Sequence, residues 1–466
     1  MHYPILRSLL LLGASLCVAA ASAADFPSAF LRDSLPDRWQ YESPFALTTP
    51  SDDKWWEGFN DAALTGLIKR AVENNFNVLA ATQRIEAARA MVRRAKAAYY
   101  PQLGISAGWQ YDAESGRTTR HVLPMEKSDY FSLGLNLSWE IDLFGKIRAN
   151  VKSERANYEA TVADCDAVLI SLCSELAKAY FSLRSAQESL KVTEEMVATD
   201  EELLKLANTR YDVGLVPKID VVQARMTVTQ ARSAMPQLNA EILTYLNEIA
   251  LLTGVYPDKL SDLLKSSPLP AAPDGVAVAS PQTLLRRRPD IVAAEKQLAY
   301  YASLVGVAKK DFLPSLELTA SVGTDSHDFK GLFGRNSLSY SVMPTLSWTI
   351  FEGFARNAAV AEAKAQFMAE VDSYNLTVMT AVQEVDNAMI SAGSVSDRLV
   401  LAEQLLKESN RELELQVDRY RQGLNSFDDV ADALANVLNY RNECVSLRAA
   451  RLNAAVTLYT ALGGGF

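Results

Sequence analysis

Residues 131–141 alternate without a break. Phe131, Leu133, Leu135, Leu137, Trp139 and Ile141 are apolar, and Ser132, Gly134, Asn136, Ser138 and Glu140 lie between them. A period of two puts the first set on one face of a β-strand and the second on the other. The pattern returns three times. Leu103, Ile105, Ala107, Trp109 and Tyr111 alternate with Gly104, Ser106, Gly108 and Gln110. Leu316, Leu318, Ala320 and Val322 alternate with Glu317, Thr319 and Ser321. Leu338, Tyr340, Val342, Leu346, Trp348 and Ile350 alternate with Ser339, Ser341, Thr345, Ser347 and Thr349. The predicted strands cover about 101–112, 129–142, 314–324 and 338–351, with polar loops at 112–128 and 324–337. Strands of about ten residues, greasy on one face and small and polar on the other, with aromatics near their ends, have the pattern of a transmembrane β-barrel. Two hairpins packed on a water-soluble core would not need the second face to be small and polar on all four strands.

Beyond Phe144-Gly145 the period changes to seven. Val162, Leu169, Leu176, Leu183, Leu190, Val197, Leu204 and Tyr211 form one stripe, and Cys165, Leu172, Ala179, Ala186 and Ala207 a companion. This is coiled-coil spacing. No glycine or proline occurs from Lys146 to Val213, so a helix of about 145–213 is predicted, roughly 100 Å long at 1.5 Å per residue. A second stripe runs Val378, Val385, Ala392, Leu399, Leu406, Leu413 and Tyr420, within a helix predicted at about 354–422. Gly214 and Gly423 end these helices, and return helices at about 219–252 and 427–461 complete two antiparallel helical hairpins. Pro236 is expected to kink the first return helix.

The two halves match in sequence. "LSWEIDLFGKIRANV" (137–151) aligns with "LSWTIFEGFARNAAV" (346–360), and "RYDVGLVPKIDVVQAR" (210–225) with "RYRQGLNSFDDVADAL" (419–434), each 209 residues on. "AKAAYYPQLGISAGW" (95–109) aligns with "AKKDFLPSLELTASV" (308–322), 213 residues on. Three blocks in one order imply an internal duplication. The expected organisation is a signal at 1–23, a first repeat with its linker at 24–283, and a second repeat at 284–466. Four strands cannot close a barrel, which needs about eight, and open edges cannot sit in lipid. Several chains must therefore share one barrel.

Composition narrows the chemistry. The formal net charge is −10 with 22% charged residues, which gives no polybasic case for nucleic acid. The only histidines are His2, His121 and His327, too few for a histidine metal site or a histidine dyad. No nucleophile elbow, phosphate loop or metal cluster occurs, so no enzyme activity and no cofactor are expected. Residues 1–23 have the form of a secretory signal: Arg7, the apolar run Leu9–Ala20 and Ala21-Ser22-Ala23. Cys17 is the candidate lipidation cysteine, but Leu16 before it is larger than the small residue such sites carry, so cleavage after Ala23 is expected instead. Cys165 and Cys173 lie about 12 Å apart along a helix, too far to bridge.

In the combination "WWEGFNDAALTGLI" (55–68), "LLRRRPDIVAAE" (284–295), the Y-Y-P and F-L-P strand starts and the two R-Y-x-x-G-L turns, the chain resembles the TolC-type outer membrane factors, in particular those serving RND-type efflux pumps. The resemblance implies a mixed α/β membrane protein: a trimeric 12-stranded β-barrel, four strands per chain, continued by a long periplasmic α-helical barrel. It implies a homotrimer in the outer membrane of a Gram-negative bacterium, a periplasmic adaptor protein and an inner-membrane RND-type pump as partners, and passive export of small molecules. A duct for type I protein secretion and a stand-alone diffusion pore are the alternatives. Trp109, Trp139 and Trp348 are expected to face lipid or its interface.

The hairpin tips, Val213-Gly214-Leu215 and Gln422-Gly423-Leu424, read first as helix C-caps; the resemblance adds a role as the adaptor-docking surface. The stretch "SFDDVADA" offers Asp428, Asp429 and Asp432. Acids in a first helical turn favour the helix dipole, which accounts for Asp428 and Asp429. Asp432 lies beyond that turn, four residues from Asp428, where like charges are unfavourable. In the family an aspartate here lines the constricted periplasmic mouth, so the resemblance makes Asp432, with Asp428, the candidate pore constriction. The local context, Val430-Ala431-Asp432-Ala433-Leu434, departs from the family's L-L-D-A-Q.

Overall fold

The computed structural model describes residues 39, 46–47, 54–114, 126–273, 276–277, 280–282 and 287–464. The expected signal, Cys17, His2, His121 and most of the first polar loop lie outside the described residues. Two helices, α1 (Ala62–Asn74) and α2 (Phe76–Ala97), lead into strands β1 (Gln102–Glu114) and β2 (Glu126–Ile141). The long helix α3 (Lys146–Asp212) and the return helix α4 (Lys218–Leu252) follow. The order then recurs with α5 (Pro289–Lys310), β3 (Ser315–Ser326), β4 (Leu338–Ser347), α6 (Ala355–Gln422) and α7 (Phe427–Ala461). A short parallel pair, Ala46–Leu47 with Val276–Ala277, was not foreshadowed in the sequence. The return helix α4 continues through Pro236 as one element.

The strands form one antiparallel sheet in the order β1-β2-β3-β4, so the two halves join at β2–β3. The last strand differs from expectation: it ends at Ser347, four residues before the predicted end. Ser347 pairs with Ser315, the first residue of β3, and Pro314 before it has no N–H to continue the ladder. Trp348 instead donates its indole N–H to the Phe312 carbonyl at 2.9 Å, turning the chain toward α6.

Among the described residues four hydrophobic clusters hold the helices, the smallest being Leu399, Ala402, Cys444 and Leu447 between the two helices of the second hairpin. Trp55, Trp56 and Phe59 of a short 3₁₀ turn pack with α1, the middle of α3 and the end of α4. The side chain of Asp61 caps α1 by accepting the N–H groups of Ala63 and Leu64 at 2.8 and 3.1 Å, and also accepts the Tyr180 hydroxyl at 2.7 Å. A second core joins α5, α6 and the end of α7. Arg288, buried at its edge, pairs with Asp290 and Glu384, each at 2.6 Å, and donates to the Ala461 carbonyl at 3.0 Å. It thereby pins the start of α5 to α6 and α7, and Pro289 opens α5 at the position where a missing N–H costs nothing. The third core sits at the far end of the hairpins and includes Leu203, Ala207, Val221, Tyr420, Phe427 and Val430.

Candidate channel wall and helical tips

The sheet register lines up the greasy residues across the middle of the four strands. Ile105 lies opposite Leu135, Leu135 opposite Val322, and Val322 opposite Tyr340. The other face carries rows such as Ser106, Gly134, Gly323 and Ser339. On that face Asn136 donates to Ser106 Oγ at 2.8 Å, Ser138 donates to Glu317 at 2.9 Å, and the Ser321 and Ser341 hydroxyls pair at 2.9 Å. Among the described residues nothing covers the greasy face: Ile105 is 77% exposed and Tyr340 80%. A contiguous apolar face of this size marks a contact with lipid or protein.

The three expected interface tryptophans all have their indole N–H bound inside the chain. Trp109 donates to Asp129 at 3.3 Å, near the hairpin end of β1 and β2. Trp139 donates to the Tyr99 carbonyl at 3.0 Å and Trp348 to that of Phe312 at 2.9 Å. The last two are equivalent contacts in the two halves. Each locks a strand end to the preceding helix–strand turn.

At the opposite pole the hairpin tips are capped identically. Gly214 (φ +74°) donates to the Tyr211 carbonyl and Leu215 to that of Arg210. Gly423 (φ +77°) donates to Tyr420 and Leu424 to Arg419. This is the glycine-terminated cap in which the left-handed residue closes two backbone bonds. Val213, Leu215 and Leu424 stand exposed around the glycines, and Gln422 is exposed as well.

The three aspartates separate by their contacts. Asp429 is committed to the cap of α7, accepting both the N–H and the hydroxyl of Ser426 at 3.1 and 3.0 Å. Asp428 accepts Gln223 Nε2 of α4 at 3.1 Å, so it ties the two return helices together. Asp432 is exposed, one turn further along the face that carries Asp428.

Sequence reasoning passed over a network that crosses between the hairpins. Arg210, buried at the end of α3, donates through Nη1 to the carbonyls of Tyr420 and Arg421 at 2.5 and 2.7 Å. Its guanidinium lies 4.9 Å from the centre of the Tyr420 ring. The Tyr420 hydroxyl donates in turn to Asp220 of α4 at 3.2 Å. Burial first, then the Asp220 carboxylate, push the Tyr420 phenol up to about 12, so it remains a neutral donor. A cation capping the end of a helix is favourable, and here the cation belongs to the other hairpin. The signal was present in the repeated Arg-Tyr pair. The two copies are used differently, since Tyr211 is exposed where Tyr420 is buried.

One buried acid stands apart. Asp200 in α3 is 5% exposed, and its Oδ1 has no hydrogen-bond partner. Burial pushes its carboxyl from the usual 3.8 up to about 6. The folded chain therefore holds this proton more tightly than the unfolded chain. Stability is greatest below about pH 4 for this group, falls as pH rises from about 4 to about 6, and stays low above. Asp200→Asn is expected to stabilise the fold at pH 7.5 by roughly 1–3 kcal/mol and to flatten that dependence, as measured by thermal unfolding across pH.

Cys165, Cys173 and Cys444 are buried free thiols, and burial pushes Cys173 up to about 12. Among the described residues no group of histidine, cysteine or acidic side chains is placed to hold a metal ion, and no helix is long and apolar enough to cross a membrane. Strands with an uncovered greasy face, joined end to end to helices of 67 and 68 residues, are the parts of an outer-membrane efflux channel.

Comparison with known proteins agrees. The family described as outer membrane efflux protein matches residues 67–255 and 280–464. The chain belongs to that family. It is a transport channel of the outer membrane of Gram-negative bacteria that reaches into the periplasm, and it is not an enzyme. It is 32% identical over 420 residues to the solvent efflux pump outer membrane protein SrpC of Pseudomonas putida, covering 88% of this chain and 87% of that protein. It is 30% identical over 465 residues to the cation efflux system protein CusC of Escherichia coli O157:H7, covering 97% and 98%. Among solved structures, the outer-membrane channel OprN superimposes with a TM-score of 0.86 at 29% identity, covering 92% of this chain and 97% of that one. A CusC structure gives 0.81 at 28%, covering 92% and 99%.

Proposed function

We propose that three copies of the chain assemble into one duct and that this duct is the exit of a tripartite efflux system. Its twelve strands span the outer membrane, and its helices form a periplasmic tunnel. The observation that carries the reading is the state of the sheet in a single chain: among the described residues the outer edges of β1 and β4 pair with no strand while the greasy face lies bare. Lipid satisfies the face, and only pairing of β4 with the β1 of another copy satisfies the edges. The exposed apolar tips then dock a periplasmic adaptor, which links the duct to an inner-membrane RND-type pump. The relatives are named for solvent and cation efflux at similar identity. That spread fits a wall of serine, threonine, asparagine and glycine that passes what the pump delivers. Light scattering of detergent-purified protein is expected to give three chains. In a strain lacking its own duct, drug efflux should return only when a compatible adaptor and pump are present; efflux without them would favour the stand-alone pore.

Within this duct Asp432, supported by Asp428, sets the charge of the narrow mouth. Three like charges on a ring attract cations and repel each other unless balanced. Asp432→Asn is expected to lower the cation preference of single channels in planar bilayers while the trimer stays intact. Asp429→Asn serves as the control, because its carboxylate is spent on the Ser426 cap. An equal effect from both, or none from Asp432→Asn, would remove the constriction from this position.

A further inference from the structure

Among the described residues only Asn60 and Phe354 hold a positive φ without being glycine, and the counterpart of Phe354 in the first half is a glycine. Phe354 begins α6 at φ +66° and ψ +11°, and its ring is 73% exposed. The equivalent residue 209 positions earlier, Gly145, begins α3 at φ +77°. Left-handed backbone is strained for a phenylalanine, at a cost of order 1 kcal/mol or more. Among the described residues its ring partner is the equally exposed Phe351, at 5.8 Å between ring centres. A strained, exposed aromatic calls for something that covers it.

The first junction shows what that is. Gly145 packs against the end of α5: its carbonyl accepts Lys310 Nζ at 2.7 Å, and Lys146 pairs with Asp311 at 2.5 Å. Further along the same two helices Lys296 pairs with Glu159 at 2.8 Å. A Cβ on Gly145 would meet Lys310 Nζ and the Arg148 guanidinium at 3.3 Å, so a side chain here would have to displace the lysine that bonds the Gly145 carbonyl. Helix α5 lies between α3 and α6. Helix α2, its equivalent at an offset of 213 with both ends in register, rests on α3 and α1 with no second long helix beside it among the described elements. Its end, Ala97-Ala98, is exposed, and so is Tyr100.

Carrying the first junction over to the second pairs Phe354 with Ala97 and Ala355 with Ala98, and puts Met368 against Gln83. Each polar contact becomes neutral or apolar. The sizes also exchange: glycine against lysine becomes phenylalanine against alanine. We infer that Phe354, backed by Phe351, is the aromatic plug between copies, seated over Ala97 and Ala98 of the neighbouring chain just below the barrel. The inference rests on the proposed trimer and names the contact that holds its periplasmic shoulder. Truncating a ring at such a buried site costs about tenfold or more in dissociation.

The test is the rate at which purified trimers dissociate in mild denaturing detergent. Phe354→Asn tolerates the left-handed backbone but removes the ring, and Phe354→Gly restores the residue of the first junction. Both are expected to speed dissociation about tenfold without loss of monomer fold by circular dichroism. The double variant Phe354→Gly/Ala97→Lys rebuilds the first junction between chains and should recover most of the loss, whereas Ala97→Lys alone should not help. Unchanged dissociation in Phe354→Asn, an effect confined to Phe354→Gly, or failure of the double variant to recover would each overturn the plug while leaving the trimer standing. An effect of Phe354→Asn seen only as lost stabilisation by added phospholipid would make the ring a lipid contact and overturn the plug too. A wild-type protein that is not trimeric would overturn the underlying assembly itself.

Discussion

Gly423→Val is expected to abolish efflux through the duct, and Gly214→Val to reduce it less severely. Both residues sit at positive φ, where a β-branched side chain is strained by about 1–3 kcal/mol. Their surroundings differ. A Cβ at Gly214 meets nothing within 4 Å, whereas one at Gly423 lies 3.3 Å from Arg210 Nη2. Valine at 423 therefore distorts its own cap and also pushes the guanidinium that holds the Tyr420 and Arg421 carbonyls. Tip shape and the bond between hairpins are lost together. Adaptor binding measured by surface plasmon resonance should fall by more than about tenfold for Gly423→Val. Equal losses for the two variants would show that Arg210 contributes nothing beyond the caps.

Val342→Arg should prevent assembly in the outer membrane. Val342 lies mid-strand in β4 on the greasy face, opposite Ala320. Arginine on the lipid face at the membrane midplane costs about 2–4 kcal/mol per copy, and every copy in the assembly carries it. Ser341, one residue away, points to the polar face and pairs with Ser321. Ser341→Arg should insert close to normally and change conductance instead. Membrane fractionation with heat-shift gels reads the outcome. If both variants insert alike, the greasy face does not meet lipid.

Much of this architecture could be read from residues alone. Alternation located the strands because their two faces meet different surroundings, and a seven-residue stripe free of proline located helix α3 because one side of it is packed. Glycines at 214 and 423 marked the tips through backbone freedom. The end of β4 was not legible, since Trp348 and Ile350 keep the alternation after the ladder has stopped. What stops it is Pro314 on the partner strand and the tie from Trp348 to Phe312. The network of Arg210, Tyr420 and Asp220 was legible only as a repeated Arg-Tyr pair. Which tyrosine turns inward depends on how two hairpins some 200 residues apart lie against each other, and no local pattern carries that. The capping role of Asp429 was partly visible in Ser426, while the tie from Asp428 to Gln223 was not.

The unpaired edges of β1 and β4 also bear on inheritance. A chain that cannot finish its own sheet commits its fate to its neighbours. In the proposed trimer, when wild-type and defective copies are made in equal amounts and mix freely, roughly one assembly in eight contains no defective member. A variant that folds and associates but blocks passage should therefore behave as dominant, silencing most of the good protein in the same cell. A variant that never reaches the edge-pairing step should be recessive. Drug susceptibility of cells carrying both alleles would sort the two kinds.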